Sequence, residues 1–337
     1  MNKKKDCNAK AINLMMDMKF RHFRGEEDYQ LMLDLWTKNR EFNGYDWSAT
    51  LVDMKNDEKW RKNYDIREQL MFVELKGEPI GLMAYNWGSE DDPKKYCLYI
   101  GTNLLEEYWD TPIPQIMLDY QEKKLDEMTR HLTDAPRLYS LGRSEKAAKQ
   151  VEFYKKNGYG PVRYFFEMIR PMSKPIGNHP MPNGLEIREV KPEHYRAIWD
   201  ADNEAFKDHW GHSDPTEEQY QAWLEDRNFH PHLWKVAWVG DQVAGMVGNF
   251  LDKEENDEYN RKRGYTEDIW VRRPWRGMGL AKALIAESNR MFKEMGMTET
   301  ALGVDAENPN GALKLYTSMG YEKVEDKTHI VLRKEVK

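Results

Sequence analysis

A helix that spans a bilayer needs about 18 to 20 consecutive apolar residues, and no uncharged apolar run in this chain approaches that length. Cysteine is almost missing: Cys7 and Cys97 are the only two among 337 residues. They stand far apart, outside any C-x-x-C or Cys/His ligand spacing. This argues against a disulfide framework or a structural zinc site and points to a reducing compartment, by default the cytoplasm. A signal peptide is not expected either, because Asp6, Lys10 and Asp17 interrupt the apolar core that it would need. Positive charge is not in excess. Lys and Arg number 51 against 58 Asp and Glu, a formal net charge of -7. Such a chain offers no footprint for a phosphate backbone, so neither nucleic acid nor membrane is an expected partner.

Core-forming residues are plentiful. Hydrophobic residues make up 40%, with 12 Trp, 18 Tyr and 11 Phe, enough to fill sizeable cores, and the length suits two domains of about 150 residues. Four prolines and two glycines in PMSKPIGNHPMPNG mark residues 171–184 as the break between them. The expected domains are therefore 1–170 and 185–337, with 171–184 as linker.

The order of elements repeats across that break. A strand at 18–23, a helix from Glu26 and a hairpin over 71–87 turning at Lys76-Gly77-Glu78 precede it. A strand at 185–190, a helix opened by Pro192 and a hairpin over 234–250 turning at Gly240-Asp241 follow it. Each half closes on a similar phrase, FYKKNGY and LYTSMGY, with Tyr154 and Tyr316 separated by 162 positions, as are Gly158 and Gly320. A common helix ending in glycine could recur by chance. The shared order of strand, helix and hairpin favours duplication of one α/β unit.

Chemistry concentrates in YTEDIWVRRPWRGMGLAKALIAESNRMFKEM, residues 265–295. A strand ends at Val271, a basic turn follows, and a helix then places Leu280, Leu284, Ser288, Met291 and Met295 on one face. Gly277 and Gly279 let the backbone approach a ligand, and the free amides of the first helical turn carry the positive end of the macrodipole. That combination suits a pyrophosphate. Arg272, Arg273 and Arg276 add guanidinium groups, and Arg261, Lys262 and Arg263 stand upstream for a further phosphate. The turn lacks both the Lys-Ser/Thr of a P-loop and the third glycine of a dinucleotide fingerprint.

Val271-Arg-Arg-Pro-Trp-Arg276-Gly-Met-Gly279-Leu-Ala281 resembles the R/Q-x-x-G-x-G/A motif of the GNAT superfamily of acyl-CoA N-acyltransferases, and GVDAENPNGALKLYTSMGY (303–321) resembles that family's next motif. The resemblance covers 185–335 well and 18–170 weakly. It implies two tandem α/β (α+β) domains, each a mixed, mostly antiparallel sheet flanked by helices, with acetyl-CoA as co-substrate. Backbone groups at Ile269 and Val271 would meet the pantetheine arm. Arg276, Gly277, Met278, Gly279, Leu280 and Ala281 would hold the pyrophosphate, and Asn310 would contact the cofactor.

Tyr316 would be the general acid, protonating the departing thiolate; as a residue alone it reads equally well as a core tyrosine. Strand alternation places Tyr265, Glu267 and Ile269 on one face and Asp268 on the other, so Glu267 is the candidate base, with an exposed strand carboxylate as the alternative. In the family a base often sits on this strand, yet the position six before the closing valine is Tyr265.

The loop after the first helix of the second half is expected to shape the acceptor pocket. Its N-x-x-F-x-x-H spacing (Asn203 to His209) resembles that of mycothiol synthase, a tandem member. Glu204 and Asp208 would meet a cationic acceptor and Trp210 would wall it. His209/His212 and His230/His232 complete no metal set, so no metal is expected. DKEENDE (252–258) reads as a solvated loop. The first half has Trp109, Pro112 and Pro114 where the motif needs arginine and small residues, and proline offers no amide to a phosphate. That half is read as degenerate, left to support the fold, wall the pocket or mediate self-association as a homodimer. The expected activity is N-acetyl transfer to a primary amine of a small molecule by direct attack in a ternary complex. The alternatives are a non-catalytic acyl-CoA-binding or scaffold protein and a transferase using a longer acyl donor.

Overall fold

The structure is a computed structural model and describes residues 17–45, 47–91 and 93–336; Cys7, Asp6 and Lys10 lie outside them. Among the described residues no helix is long and apolar enough to cross a membrane.

The chain forms two compact units. The first runs up to Val162 and takes in the residues from His329 on; the second is Arg163–Thr328. In the first, β1 (Met18–His22), α1 (Glu26–Asn39), α2 (Leu51–Trp60) and α3 (Ile66–Gln69) lead into β2 (Leu70–Leu75), β3 (Glu78–Asp91) and β4 (Lys94–Leu104). Then come α4 (Ile113–Thr129), β5 (Arg137–Ser144), α5 (Ala148–Lys156) and β6 (Gly160–Pro171). The second repeats the plan with β7 (Glu186–Arg188), α6 (Tyr195–Phe206), α7 (Glu217–Leu224), β8 (Lys235–Val239) and β9 (Gln242–Phe250). It continues through α8 (Lys253–Glu258), β10 (Arg263–Val271), α9 (Leu280–Glu294), β11 (Glu299–Asp305), α10 (Ala312–Ser318) and β12 (Glu322–Glu335). The first hairpin turns on Lys76 (φ 55°) and Gly77 (φ 88°), the two left-handed residues a tight two-residue loop requires.

In the first unit β1 to β4 are antiparallel neighbours and β4 pairs with β5 in parallel. In the second, β7 to β10 are antiparallel and β10 pairs with β11 in parallel. The last strand of each unit comes from the other half of the sequence. Asp305 to Glu299 of β11 pairs with Phe165 to Pro171 of β6, and Ser144 to Leu138 of β5 pairs with His329 to Glu335 of β12. The boundaries expected from the proline-rich stretch are therefore corrected. Residues 163–170 belong to the second unit, residues from 329 to the first, and 171–184 joins no two domains. That segment lies on the second unit: the buried Arg170 gives Nη2 to the carbonyls of Lys174 and Pro175, at 3.1 and 2.9 Å, and Nε to that of Met319 at 2.9 Å. Ile176 and Met181 pack on the same core.

α9 is amphipathic as expected at its start, where Leu280, Leu284 and Ser288 are buried. Its inner face then passes to Phe292. Met291 is half-buried, and Met295 is exposed because the helix ends at Glu294 and Gly296 (φ 81°) turns the chain away. The acidic run is also more than a loop. Asp252 caps α8 by accepting the Glu255 amide at 2.9 Å and pairs with Arg227 at 2.6 Å, while buried Glu255 accepts the Tyr265 hydroxyl at 2.7 Å.

α9 lies so close to β10 that a Cβ on Gly264 would stand 2.6 Å from the buried Phe292 ring. Gly264→Ala should therefore destabilise the second unit by about 1–3 kcal/mol, read as a lowered denaturation midpoint; an unchanged midpoint would show that the ring yields at no cost.

Candidate active site

Strand β10 builds the site by leaving its neighbour. Parallel pairing with β11 is recorded for Arg263 to Tyr265 only. Beyond it, Glu267 Oε1 accepts the Gly303 amide at 2.8 Å, so a side chain takes a donor that a continuing ladder would have used. On the other edge the register with β9 slips between Glu267, opposite Gly248, and Trp270, opposite Met246, and Asp268 sits in the left-handed region at φ 45°. This bulge breaks the alternation expected for the strand. Trp270, not Ile269, shares the face of Glu267: it packs with Ile198 and Met246, while Ile269 and Val271 pack beside Leu280 on the opposite face.

At the end of β10 a 3₁₀ turn (Arg273–Trp275) leads into Gly277 (φ 77°) and Gly279 (φ 88°), and α9 begins with no side chain capping its amides. Nothing stands within 4 Å of where a Cβ would be at either glycine. A left-handed turn, open space and free first-turn amides make a cradle fit for a phosphate group.

The cradle is continuous with a cavity of about 560 Å³. It is lined by Ile269, Val271, Arg276, Gly277, Gly279, Leu280, Ala281, Asn310 and Tyr316, all expected, and by Trp270, Lys282, Asn308 and His209 among others. Met278 does not line it and is 51% exposed. Asn308, not singled out from the sequence, accepts the Asn310 amide at 2.8 Å and lies 3.4 Å from the His209 imidazole. Lys282 was legible as a cation in the first turn of the helix. Burial lowers the pKa of His209, keeping it neutral at pH 7.

Tyr316 is 7% exposed, and no hydrogen bond to its hydroxyl is recorded among the described residues. Burial, then the charges of Glu267 and Tyr321, push its pKa upward, so the phenol stays protonated at neutral pH. Glu267 does not line the cavity, though its charge is felt at Tyr316. Desolvation and then the charge of Asp268 push its pKa up to about 8. Asp268 is itself raised to about 6, by desolvation and then by Asp226, and Asp202 is raised by desolvation and by Asp268. Only the fold brings these carboxylates together.

The acids expected to face an acceptor are engaged elsewhere. Glu204 accepts Arg272 at 2.6 and 3.0 Å, and Asp208 accepts Arg276 at 2.8 Å and Arg273 at 3.2 Å. The two arginines hold Asp208 well below the usual carboxylate range. Trp210 stacks under Arg163 at 5.6 Å, its ring 6.4 Å from Phe165. The upstream arginines are also engaged, while Lys262 is exposed. Arg263 is buried between Glu299 (2.7 Å) and Glu167 (2.9 Å), and Arg261 gives to the Tyr265 hydroxyl at 2.9 Å, both at the end of β10 remote from the turn.

The first unit treats the same frame differently. β3 and β4 keep an unbroken register, and parallel pairing of β4 with β5 is recorded only for Tyr96 to Tyr99. Across the gap Arg143 gives Nη2 to the Thr102 carbonyl at 3.3 Å and to the hydroxyl of buried Tyr154 at 2.9 Å. Trp109 is buried against Phe42, Phe153 and Tyr154, its indole giving to the Leu104 carbonyl at 2.9 Å, and α4 opens on Pro112 and Pro114.

Residues 195–321 match the family model of the acetyltransferase (GNAT) family. Among curated proteins it is similar to a mycothiol acetyltransferase of Thermobispora bispora, 25% identical over 193 residues, covering 55% of this chain and 61% of that protein. One from Salinispora arenicola is 28% identical over 171 residues, 49% of this chain and 53% of that protein. The chain thus spans roughly half to three-fifths of the relatives' length. Among solved structures, a GCN5-related N-acetyltransferase from Sphaerobacter thermophilus superposes with a TM-score of 0.66 at 21% identity, over 95% of this chain and 96% of that one. A tandem GNAT protein from the clavulanic acid biosynthesis pathway gives 0.64 at 11%, over 94% and 98%. At these identities the two establish the tandem GNAT fold alone.

Gly279→Asp would force a side chain into the left-handed region and set a negative charge at the free amides. Acetyl-CoA affinity by calorimetry should fall at least about tenfold; unchanged affinity would remove the turn from the binding site.

Proposed function

We propose that the protein is an acetyl-CoA-dependent N-acetyltransferase acting on a primary amine of a small molecule by direct attack, with one working site in the second unit. The observation that carries this reading is the single cavity joining the uncapped start of α9 to a buried phenol that no recorded hydrogen bond occupies. Bound acetyl-CoA supplies a thioester open to attack by an amine.

The chain's own groups supply the rest. The amides from Gly277 to Lys282 receive the pyrophosphate, and the edge of β10 that β11 leaves receives the pantetheine arm beside Asn308 and Asn310. Glu267, its pKa lifted toward 8 but its side chain outside the cavity lining, takes the proton that the acceptor's ammonium must lose by way of an intervening water. Tyr316, in the cavity wall, protonates the departing sulfur. A small acceptor and acetyl-CoA as donor are supported by the mycothiol acetyltransferase relatives. In the first unit Trp109, Pro112 and the Arg143–Tyr154 bond fill the corresponding gap, which supports one acetyl-CoA per chain.

Tyr316→Phe should leave acetyl-CoA affinity unchanged and lower kcat on the order of a hundredfold, measured as free thiol released with a panel of amines; undiminished turnover would take Tyr316 out of the mechanism. Because the base must be ionised, kcat/KM should rise with pH through an apparent pKa near 8. Glu267→Gln should lose that limb along with most of the rate, and a wild-type profile flat from pH 6 to 9 would exclude Glu267.

A further inference from the structure

Arg276 is the arginine of the phosphate turn, yet every one of its nitrogens donates within the protein. Nε gives to the Val271 carbonyl at 2.9 Å, Nη1 to Asp208 Oδ2 at 2.8 Å and Nη2 to the Ala205 carbonyl at 3.2 Å. Val271 closes β10. Ala205 lies in the last turn of α6, where helix carbonyls lack amide partners and a cation suits the macrodipole. Asp208 opens the loop that carries His209 into the cavity wall. One planar fork therefore ties the strand end, the helix end and the loop to the turn, a geometry that lysine could not reproduce. Arg273 also meets Asp208, but its side chain is 68% exposed against 30% for Arg276. The Arg273 contact is two-pronged, Nε to Oδ2 and Nη2 to Oδ1, and is the more open of the two to screening by solvent and salt.

Resting on the reading above that the cavity binds acetyl-CoA, we propose that Asp208 and Arg276 form a positioning strut. It holds the cofactor turn and the acceptor-side loop in one geometry, while the phosphate charge is met by backbone amides and Lys282. Asp208 then governs acetyl-CoA affinity without touching the cofactor, and Arg276 governs it without lending its charge to a phosphate.

The test is a double-mutant cycle on the full chain, with acetyl-CoA affinity measured by calorimetry over a range of salt concentrations. Asp208→Asn and Arg276→Gln should each weaken binding about tenfold. The double variant should be no worse than either single one, and Asp208→Glu should recover most of the loss. The salt dependence should stay that of the wild type, since no charge on the phosphate has been removed. Additive losses, a shallower salt dependence in Arg276→Gln, or tighter binding by Asp208→Asn would overturn the strut and make Arg276 a phosphate ligand that Asp208 restrains.

A ligand-free readout stands beside it. The imidazole resonances of His209 should shift in both single variants while the melting temperature stays near that of the wild type; unmoved resonances would overturn the proposal. A wild type that fails to bind acetyl-CoA would sink the cofactor reading and leave this second test of the strut in force.

Discussion

The site depends on one hydrogen bond that a backbone ladder does not make. β10 and β11 pair in parallel over Arg263 to Tyr265, and then the Gly303 amide goes to Glu267 Oε1. With that donor taken by a side chain, β10 leaves its neighbour while the Gly303 amide keeps a protein partner. The bulge at Asp268 completes the divergence by turning Trp270 to the face of Glu267 and Ile269 to that of Leu280. The residue read as the base is thus also the one that keeps the strands apart. Its raised pKa has the same origin, because its carboxyl is held in the wedge near Asp268, away from any lysine or arginine recorded as its partner.

Charge in the turn works by pairing more than by accumulation. Arg272, Arg273 and Arg276 look like a cationic patch in the sequence, but Glu204 and Asp208 answer them in the structure. On the strut proposed above, an anion is met chiefly by the field of the free amides at the start of α9, with Lys282 nearby. Such a site depends less on ionic strength than a cluster of exposed arginines would. Its geometry depends instead on the glycines and on whatever holds the turn against the end of α6.

Local chemistry was legible in the sequence, and pairing between distant segments was not. The hairpins at Lys76-Gly77 and Gly240-Asp241 and the run from Val271 through Gly279 into α9 are each written within a few residues, and each stands where the sequence places it; Pro192 opens a 3₁₀ turn, and the α-helix expected from it begins at Tyr195. The strand exchange is not written that way. Nothing near Pro171 shows that β6 will pair with β11, so the proline-rich segment was read as a boundary when it is a strap held by Arg170. The bulge escaped because alternation assumes an unbroken register. The acidic run escaped because its charges looked solvated, while Asp252 and Glu255 find partners in Arg227 and Tyr265 that lie far off in the sequence or across a turn.

The two units show how little separates a frame from a site. Both have a parallel pair whose pairing is brief, a 3₁₀ turn after the strand (Glu106–Tyr108 in the first, Arg273–Trp275 in the second), and a tyrosine on the short helix that follows the next strand. In the first, the β3–β4 register never slips, Arg143 bridges the gap to Thr102 and Tyr154, and Trp109 fills the place that Arg276 takes in the second. Each of these changes favours stability: an aromatic side chain is buried, a phenol gains a partner, and prolines stiffen the helix start. Each also removes something a ligand needs, whether space, a free hydroxyl or an amide. The second unit keeps a strained aspartate, two left-handed glycines and a buried hydroxyl with no recorded partner, features that a fold selected for stability alone would be expected to lose.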